Sequence, residues 1–148
     1  LSLRRQRQMC IRDSIKAMQR TKEILRANDL RPTKQRVLIG NFLFDGVDKH
    51  VTAESLFKKL SNEQRGVSLA TVYNTLHEFC KKELLNKITI DTDKVYFDTN
   101  ISLHHHFFSD KEKILLDIKS QDVKISSMPN APKGKKIKKV ELIIHLED

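Results

Sequence analysis

The sequence predicts a mixed α/β (α+β) chain in which an N-terminal winged helix is followed by a small α/β domain. Apolar residues recur at helical spacing up to about residue 83, and alternating segments of strand length follow on both sides of residue 100. Helices followed by a hairpin are typical of a winged helix. We therefore place the winged helix at residues 15–98 and the second domain at residues 99–148.

Residues 1–14 are left out of this fold prediction. The chain opens on Leu1, and the stretch RQRQMCIRDS resembles the translation of a sequencing adapter. We interpret residues 1–14 as a non-native leader. The alternative is a native basic arm that contacts phosphates, because the stretch has four basic residues and one acidic residue.

Three helices are predicted before residue 62. The first covers residues 15–28. Pro32 disfavours helix at the preceding residue, and Thr33 is suited to cap a second helix over residues 34–44. Thr52 is suited to cap the third helix. The apolar residues expected on the buried faces are Met18, Ile24, Leu25, Val37, Leu38, Phe42, Leu43, Leu56, Phe57 and Leu60.

The fourth helix is the most informative element. Ser68 is suited to cap it, and the apolar spacing continues to about Glu83. One face carries small and polar side chains, which suit entry into a DNA major groove and contact with base edges. The alternative is an ordinary amphipathic helix with a solvated face. The expected buried stripe is Leu69, Val72, Leu76, Phe79 and Cys80, and the outward face is Ala70, Thr71, Asn74 and Glu78, flanked by Tyr73 and His77.

A β-hairpin is predicted after the fourth helix. Alternating apolar residues indicate strands at residues 85–90 and 94–98, around a turn at residues 91–93. A short polar turn at residues 61–66 joins the third and fourth helices as a helix-turn-helix. Helix-turn-helix and hairpin together predict that residues 15–98 bind DNA.

The charge distribution agrees with this prediction. The net charge of the chain is +9. Residues 15–92 contain fourteen basic and nine acidic residues, whereas residues 93–148 contain ten basic and nine acidic residues. A basic excess favours a polyanionic partner. Without an apolar run of transmembrane length or a signal-peptide pattern, we expect a cytoplasmic protein. The two cysteines, Cys10 and Cys80, form no CxxC pair, which excludes a four-cysteine structural zinc site within one chain.

Residues 99–148 are predicted to form a dimerisation and ligand-sensing domain. Their small sheet has too little core to stand alone, so we expect a homodimer. The lysines of residues 133–139 are interpreted as protection for a solvated strand edge, in preference to a second DNA-binding patch. The predicted elements are strands at residues 104–109, 113–118 and 137–146, and a weak helix at residues 122–127.

Three consecutive histidines lie on the first strand of this domain. Strand periodicity puts His104 and His106 on one face and His105 on the other. Two imidazoles on one face can bind a metal ion or haem iron, with Asp98 and His50 as candidate further ligands. The alternative is a solvated polar loop that binds no ligand.

Four segments of the chain resemble the ferric uptake regulator family, most closely its iron response regulator (Irr) branch. They are LRPTKQRVLIGNFLF, HVTAESLFKKL, VSLATVYNTLHEF and KVYFDTNISLHHHFF, and the likeness covers roughly residues 28–118. The resemblance implies a dimeric repressor or other transcription regulator that responds to iron status and binds AT-rich palindromic operators. The cysteine pairs of many relatives are missing, and so is the Cys-Pro haem motif of some Irr proteins, since Ile11 follows Cys10.

The resemblance also implies which residues bind DNA. The Tyr73 position would pack on thymine methyl groups in the major groove, and Arg31 would reach the minor groove rather than being a solvated loop arginine. The candidate DNA-binding residues are Arg31, Lys34, Arg36, Ser68, Thr71, Tyr73 and Asn74.

The ligand-binding residues follow from the resemblance in the same way. His50, Asp98, His104 and His106 resemble the regulatory metal ligands of the wider family, and Asp117 resembles an acidic ligand in some relatives. The cofactor is then haem or a divalent metal, iron, manganese or zinc. The candidate metal or haem residues are His50, Asp98, His104, His105, His106 and Asp117.

Other functions remain open at this stage. The same ligands could serve a regulator of the family that senses manganese, zinc or peroxide. A metal-dependent hydrolase using His104 and His106 is a remote alternative, since the chain has no HExxH motif and no evident general base. A winged helix can also serve as a protein-interaction module.

Overall fold

The computed structural model describes residues 3–63 and 66–147, which fall into two compact units that divide between Ile101 and Ser102. The described residues form four α-helices and two three-stranded sheets, so the predicted mixed fold is confirmed. The first unit contains α1 (Leu3–Ala27), α2 (Lys34–Leu43), β1 (His50–Val51), α3 (Ala53–Asn62), α4 (Leu69–Lys81), β2 (Asn86–Asp91) and β3 (Lys94–Asp98). The second contains β4 (His104–Ser109), β5 (Ile114–Lys119), a 3₁₀ turn (Ser120–Asp122) and β6 (Ile143–Leu146).

Helix α1 is longer than predicted, because it begins at Leu3. Neither Pro nor Gly occurs between residues 3 and 27, and most residues there favour helix. The helix ends where Asp29 adopts a left-handed φ of 56° and the Leu30 N–H donates to the Leu25 carbonyl. The interpretation of residues 1–14 as a leader stays a prediction, and residues 1 and 2 lie outside the described residues.

The three predicted N-caps are confirmed. Thr33 accepts a hydrogen bond from the Arg36 N–H (3.3 Å), and Ser68 accepts one from the Thr71 N–H (3.1 Å). Thr52 forms a reciprocal capping box with Ser55, with both hydrogen bonds at 3.0 Å. Each cap satisfies donors that a helix start leaves unpaired, so these local choices determine where the helices begin.

Helix packing buries most of the predicted core, with some exceptions. Met18 and Leu69 are exposed, and the side chains that are only partly buried are those of Ile24, Leu38, Phe42, Phe57 and Cys80. Leu69 is the first residue of α4 and is 39% exposed. The core of the first unit is Leu25, Leu30, Val37, Ile39, Leu43, Val51, Ala53, Leu56, Leu60, Val72, Leu76, Phe79, Leu85 and Phe97.

The first sheet has the order β1-β3-β2. Strands β2 and β3 form the predicted hairpin, in which Asp91 pairs with Lys94. His50–Val51 forms a strand that the sequence analysis missed, because it treated these residues as the approach to α3. Their pairing with Asp98 and Phe97 depends on residues far along the chain. This order of helices and hairpin confirms a winged helix.

The second sheet has the order β5-β4-β6, with β6 parallel to β4. The predicted helix at residues 122–127 is wrong, since only the 3₁₀ turn forms there. The predicted last strand at residues 137–146 is too long. Ile143 is the first residue of β6 and pairs with His106 of β4, and residues 135–142 have no strand partner in the described part of the chain. No helix among the described residues is long and apolar enough to cross a membrane.

Candidate nucleic-acid interface and metal centre

The N-terminal half of α4 presents a polar surface. Ala70 and Asn74 are exposed, and Thr71 is partly exposed, as predicted for the outward face. The Ser68 and Thr71 hydroxyls lie 2.9 Å apart, so both are held at the start of the helix. The start of a helix also carries the positive end of its dipole, which favours a nearby phosphate.

Tyr73 is oriented by an aromatic cluster beside this surface. The side chain is 39% exposed, and its ring centroid lies 4.7 Å from that of His77 and 6.5 Å from that of Phe97. Burial, reinforced by Lys87 and Lys81, lowers the pKa of His77. The lowered pKa favours the neutral ring of His77, which packs against Tyr73.

The three basic candidates near α2 have different environments. Arg31 and Lys34 are exposed. The Arg36 guanidinium donates to the Arg31 carbonyl (3.2 Å) and lies 3.8 Å from the Glu78 carboxylate. Arg36 thus connects the start of α2 to α4, a contact that the sequence analysis missed because it joins residues on different helices.

In the second unit, two histidines and one carboxylate share a face of the sheet. His106 pairs directly with Asp117 across β4 and β5. The Nε2 atoms of His104 and His106 lie 3.4 and 3.7 Å from Asp117 Oδ1, and the two rings are 4.5 Å apart between centroids. Strand period two thus aligns His104 with His106, and sheet register brings Asp117 to both.

The histidines are buried rather than exposed. Their relative exposures are 6%, 5% and 1% for His104, His105 and His106, so the solvated-loop alternative is wrong. The His104 Nδ1 lies 2.8 Å from the Ser102 carbonyl, and the His106 Nδ1 lies 3.7 Å from Glu141 Oε1. These contacts on Nδ1 orient both Nε2 atoms toward Asp117.

His105 lies on the opposite face, as predicted. Its Nδ1 accepts a hydrogen bond from the Leu142 N–H (3.2 Å), next to the bond from the His106 N–H to the Leu142 carbonyl (3.0 Å). His105 therefore holds the segment before β6. Glu141, in the same segment, was missed by the sequence analysis, since no local pattern links it to His106.

The first unit holds a second pair of candidate ligands. His50 and Asp98 pair across β1 and β3, and their side chains lie 3.6 Å apart. Asp98 is fully buried, and its Oδ1 accepts a hydrogen bond from the Asn100 N–H (2.8 Å). A buried carboxylate held in this way is preorganised to bind a cation.

The donor set of the second unit fits a divalent metal ion. Donor atoms of His104, His106 and Asp117 lie within 4.8 Å of one another, a spacing suited to ligands of one ion. Imidazole nitrogen and carboxylate oxygen suit iron, manganese and zinc. When bound, such an ion would supply a positive charge that links β4 to β5.

Relatives of known name cover part of the chain. The ferric uptake regulation protein of Cupriavidus metallidurans is 32% identical over 76 residues, 51% of this chain and 53% of that protein. The peroxide-responsive repressor PerR of Staphylococcus epidermidis is 31% identical over 87 residues, 59% of this chain and 57% of that protein. The chain therefore spans little more than half the length of these two curated relatives.

Solved structures share the fold. The ferric uptake regulator of Pseudomonas aeruginosa with manganese has a TM-score of 0.65 at 20% identity, covering 86% of this chain and 97% of that one. The ferric uptake regulator of Francisella tularensis with iron has a TM-score of 0.64 at 22% identity, covering 80% of this chain and 92% of that one. The model of the ferric uptake regulator family matches residues 27–145. Because this match spans most of the chain, the protein belongs to the ferric uptake regulator family.

Proposed function

We propose that this protein is a DNA-binding transcription regulator that responds to a divalent metal ion. The observation that carries the proposal is the exposed polar start of α4 in a winged helix, in a chain that belongs to a family of transcription regulators. Asn74 and Tyr73 would contact base edges, while Arg31 and Lys34 would contact the backbone or minor groove. The hydrolase alternative is set aside, because members of this family are regulators and not enzymes.

The metal would bind His104, His106 and Asp117 of the second unit, and His50 and Asp98 of the first unit are proposed as a second pair of candidate ligands. Relatives whose structures contain manganese or iron support a metal signal. We propose the Irr branch because the four segments resemble it most closely, and the two cysteines, too few for a four-cysteine zinc site, agree with that resemblance. A metal ion is favoured over haem, since the Nε2 atoms of the buried His104 and His106 lie 3.4 and 3.7 Å from the Asp117 carboxylate, and nitrogen and oxygen donors together are typical of divalent-metal sites.

The second unit would act as the dimerisation domain. Its buried core is small, with Phe108, Leu115 and Ile118 as the buried apolar residues among those described. Leu116 on β5 and Ile144 on β6 are exposed on the outer strands of the sheet. A second copy of the chain would cover these apolar side chains. Their burial would stabilise a sheet that has only three strands and a small core.

Binding to selected DNA tests this proposal. Operators would be selected from random duplexes with manganese, zinc or ferrous iron present, and affinities would be measured with and without each metal, with haem and with peroxide. We expect binding that one divalent metal strengthens. No affinity for any duplex would support the protein-interaction alternative, and a response to haem alone or to peroxide would reassign the signal.

Asn74→Ala tests the recognition helix. Because Asn74 is exposed, the variant should fold normally but lose about 5- to 150-fold of its preference for operator over random DNA, equivalent to ~1–3 kcal/mol. Asn130→Ala, at an exposed position in the second unit, is the matched control. Equal losses on operator and random DNA would show that Asn74 only positions the helix.

A further inference from the structure

The lysine run, defined as residues 133–139, has no role in the fold described above. Five of its seven residues are lysines, and all seven are exposed. The sequence predicted these lysines at the edge of a strand, but the strand begins only at Ile143. Within the described residues the run pairs with no strand, so the edge-protection interpretation is wrong.

The lysine run also dominates the charge of its unit. Outside it, residues 102–148 contain four lysines and seven acidic residues. The rest of the unit is therefore net negative, and its positive charge is concentrated in one short exposed stretch. Such a concentration attracts a polyanion far more strongly than the same charge spread over a surface.

The backbone displays these side chains to solvent. The Lys135 N–H donates to the Pro132 carbonyl (2.9 Å), forming a turn in which Gly134 has a left-handed φ of 77°. After the turn the chain has no regular structure until β6. Among the described residues an acidic partner is recorded at the end of the run, where Lys139 Nζ lies 3.4 Å from Glu141 Oε1.

We propose that the lysine run binds the phosphate backbone of duplex DNA beside the operator, as a second contact in addition to α4. This inference rests on the proposed function, which brings the chain to DNA. Lysines act as point charges toward phosphates and carry no sequence information, so the contact would add affinity without specificity. A membrane surface is disfavoured, because the run is not helical and Ile137 is its single apolar residue.

The test compares two variants with equal charge changes. The run variant is Lys135→Gln, Lys136→Gln and Lys138→Gln. The control variant is Lys111→Gln, Lys119→Gln and Lys124→Gln, which removes three exposed lysines elsewhere in the same unit. Dissociation constants are measured at several salt concentrations on an operator duplex with about 10 extra base pairs on each side, and on the operator alone.

The expected result is a change in salt dependence. Each phosphate contact contributes about 0.9 to the steepness with which log K falls against log salt. The run variant should therefore show a slope on the long duplex that is less steep than that of the wild type by roughly 2–3 per protomer. The short duplex and the control variant should show the wild-type slope. A wild-type slope for the run variant on the long duplex, or equal reductions on both duplexes or in both variants, would overturn the proposal.

The same measurements separate this proposal from the proposed function. If the wild type bound operator and random DNA equally, sequence-specific regulation would fail. The slopes of wild type and run variant could still be compared on the long random duplex. A less steep slope for the run variant would then support the lysine contact, and equal slopes would contradict it.

Discussion

Replacing Asp117 by Asn gives the sharpest test of the metal centre. The substitution keeps the shape of the side chain but removes the charge that faces the Nε2 atoms of His104 and His106 at 3.4 and 3.7 Å. Because the Asp117 side chain is one-third exposed, the metal-free protein should fold almost normally. The variant should therefore lose metal affinity rather than structure.

The magnitude follows from linkage between binding and folding. A metal at one hundred times its Kd that binds only the folded protein stabilises it by about 2.7 kcal/mol. For a chain of this length that raises Tm by roughly 5–11 °C. Loss of the carboxylate should weaken affinity by at least ~10–100-fold. At the same metal concentration the metal would then stabilise the variant by only about 0.4–1.4 kcal/mol, which raises its Tm by roughly 1–6 °C.

Thermal melts with and without manganese, zinc or ferrous iron measure these shifts. Asp122→Asn is the matched control, since Asp122 is exposed in the same unit. The control should show the wild-type shift. A wild-type shift for Asp117→Asn as well would show that Asp117 does not bind the ion.

Three further predictions use other parts of the chain. Arg31→Ala should lower the salt slope of DNA binding by about 1, and an unchanged slope would mean that Arg31 does not contact DNA. Thr52→Ala removes the capping box of α3 and should cost about 1 kcal/mol in urea unfolding without changing DNA specificity, whereas an unchanged midpoint would contradict the cap. Burial raises the pKa of the Cys80 thiol to about 11 from 9.0, so at pH 8 its thiolate should be about 100-fold scarcer than that of an ordinary thiol. Alkylation of a Cys10→Ser variant should be correspondingly slow and accelerate up to pH 11, and rapid alkylation at pH 8 would refute that pKa.

Local chemistry explains which predictions the structure confirmed. Helix starts depend on a side chain and backbone groups within three residues, so Thr33, Thr52 and Ser68 could be identified directly. The same is true of the hairpin, whose strands flank a short turn, and of the alternation that places His104 and His106 together. The exposure of first-turn residues such as Leu69 was predicted less well, since burial depends on which other segments pack there.

Long-range pairing determined the rest. His50–Val51 is a strand because β3 lies beside it, and β6 pairs with β4 over four residues only, from Ile143 with His106 to Leu146 with Ser109. The burial of the histidines and the approach of Glu141 likewise depend on chain segments far apart in sequence. The sequence alone determined the family resemblance, the starts of α2, α3 and α4, and the types of ligand. Only the tertiary structure decided which ligands meet and that the lysine run lies outside any strand, because sheet register is set by contacts that no local pattern encodes.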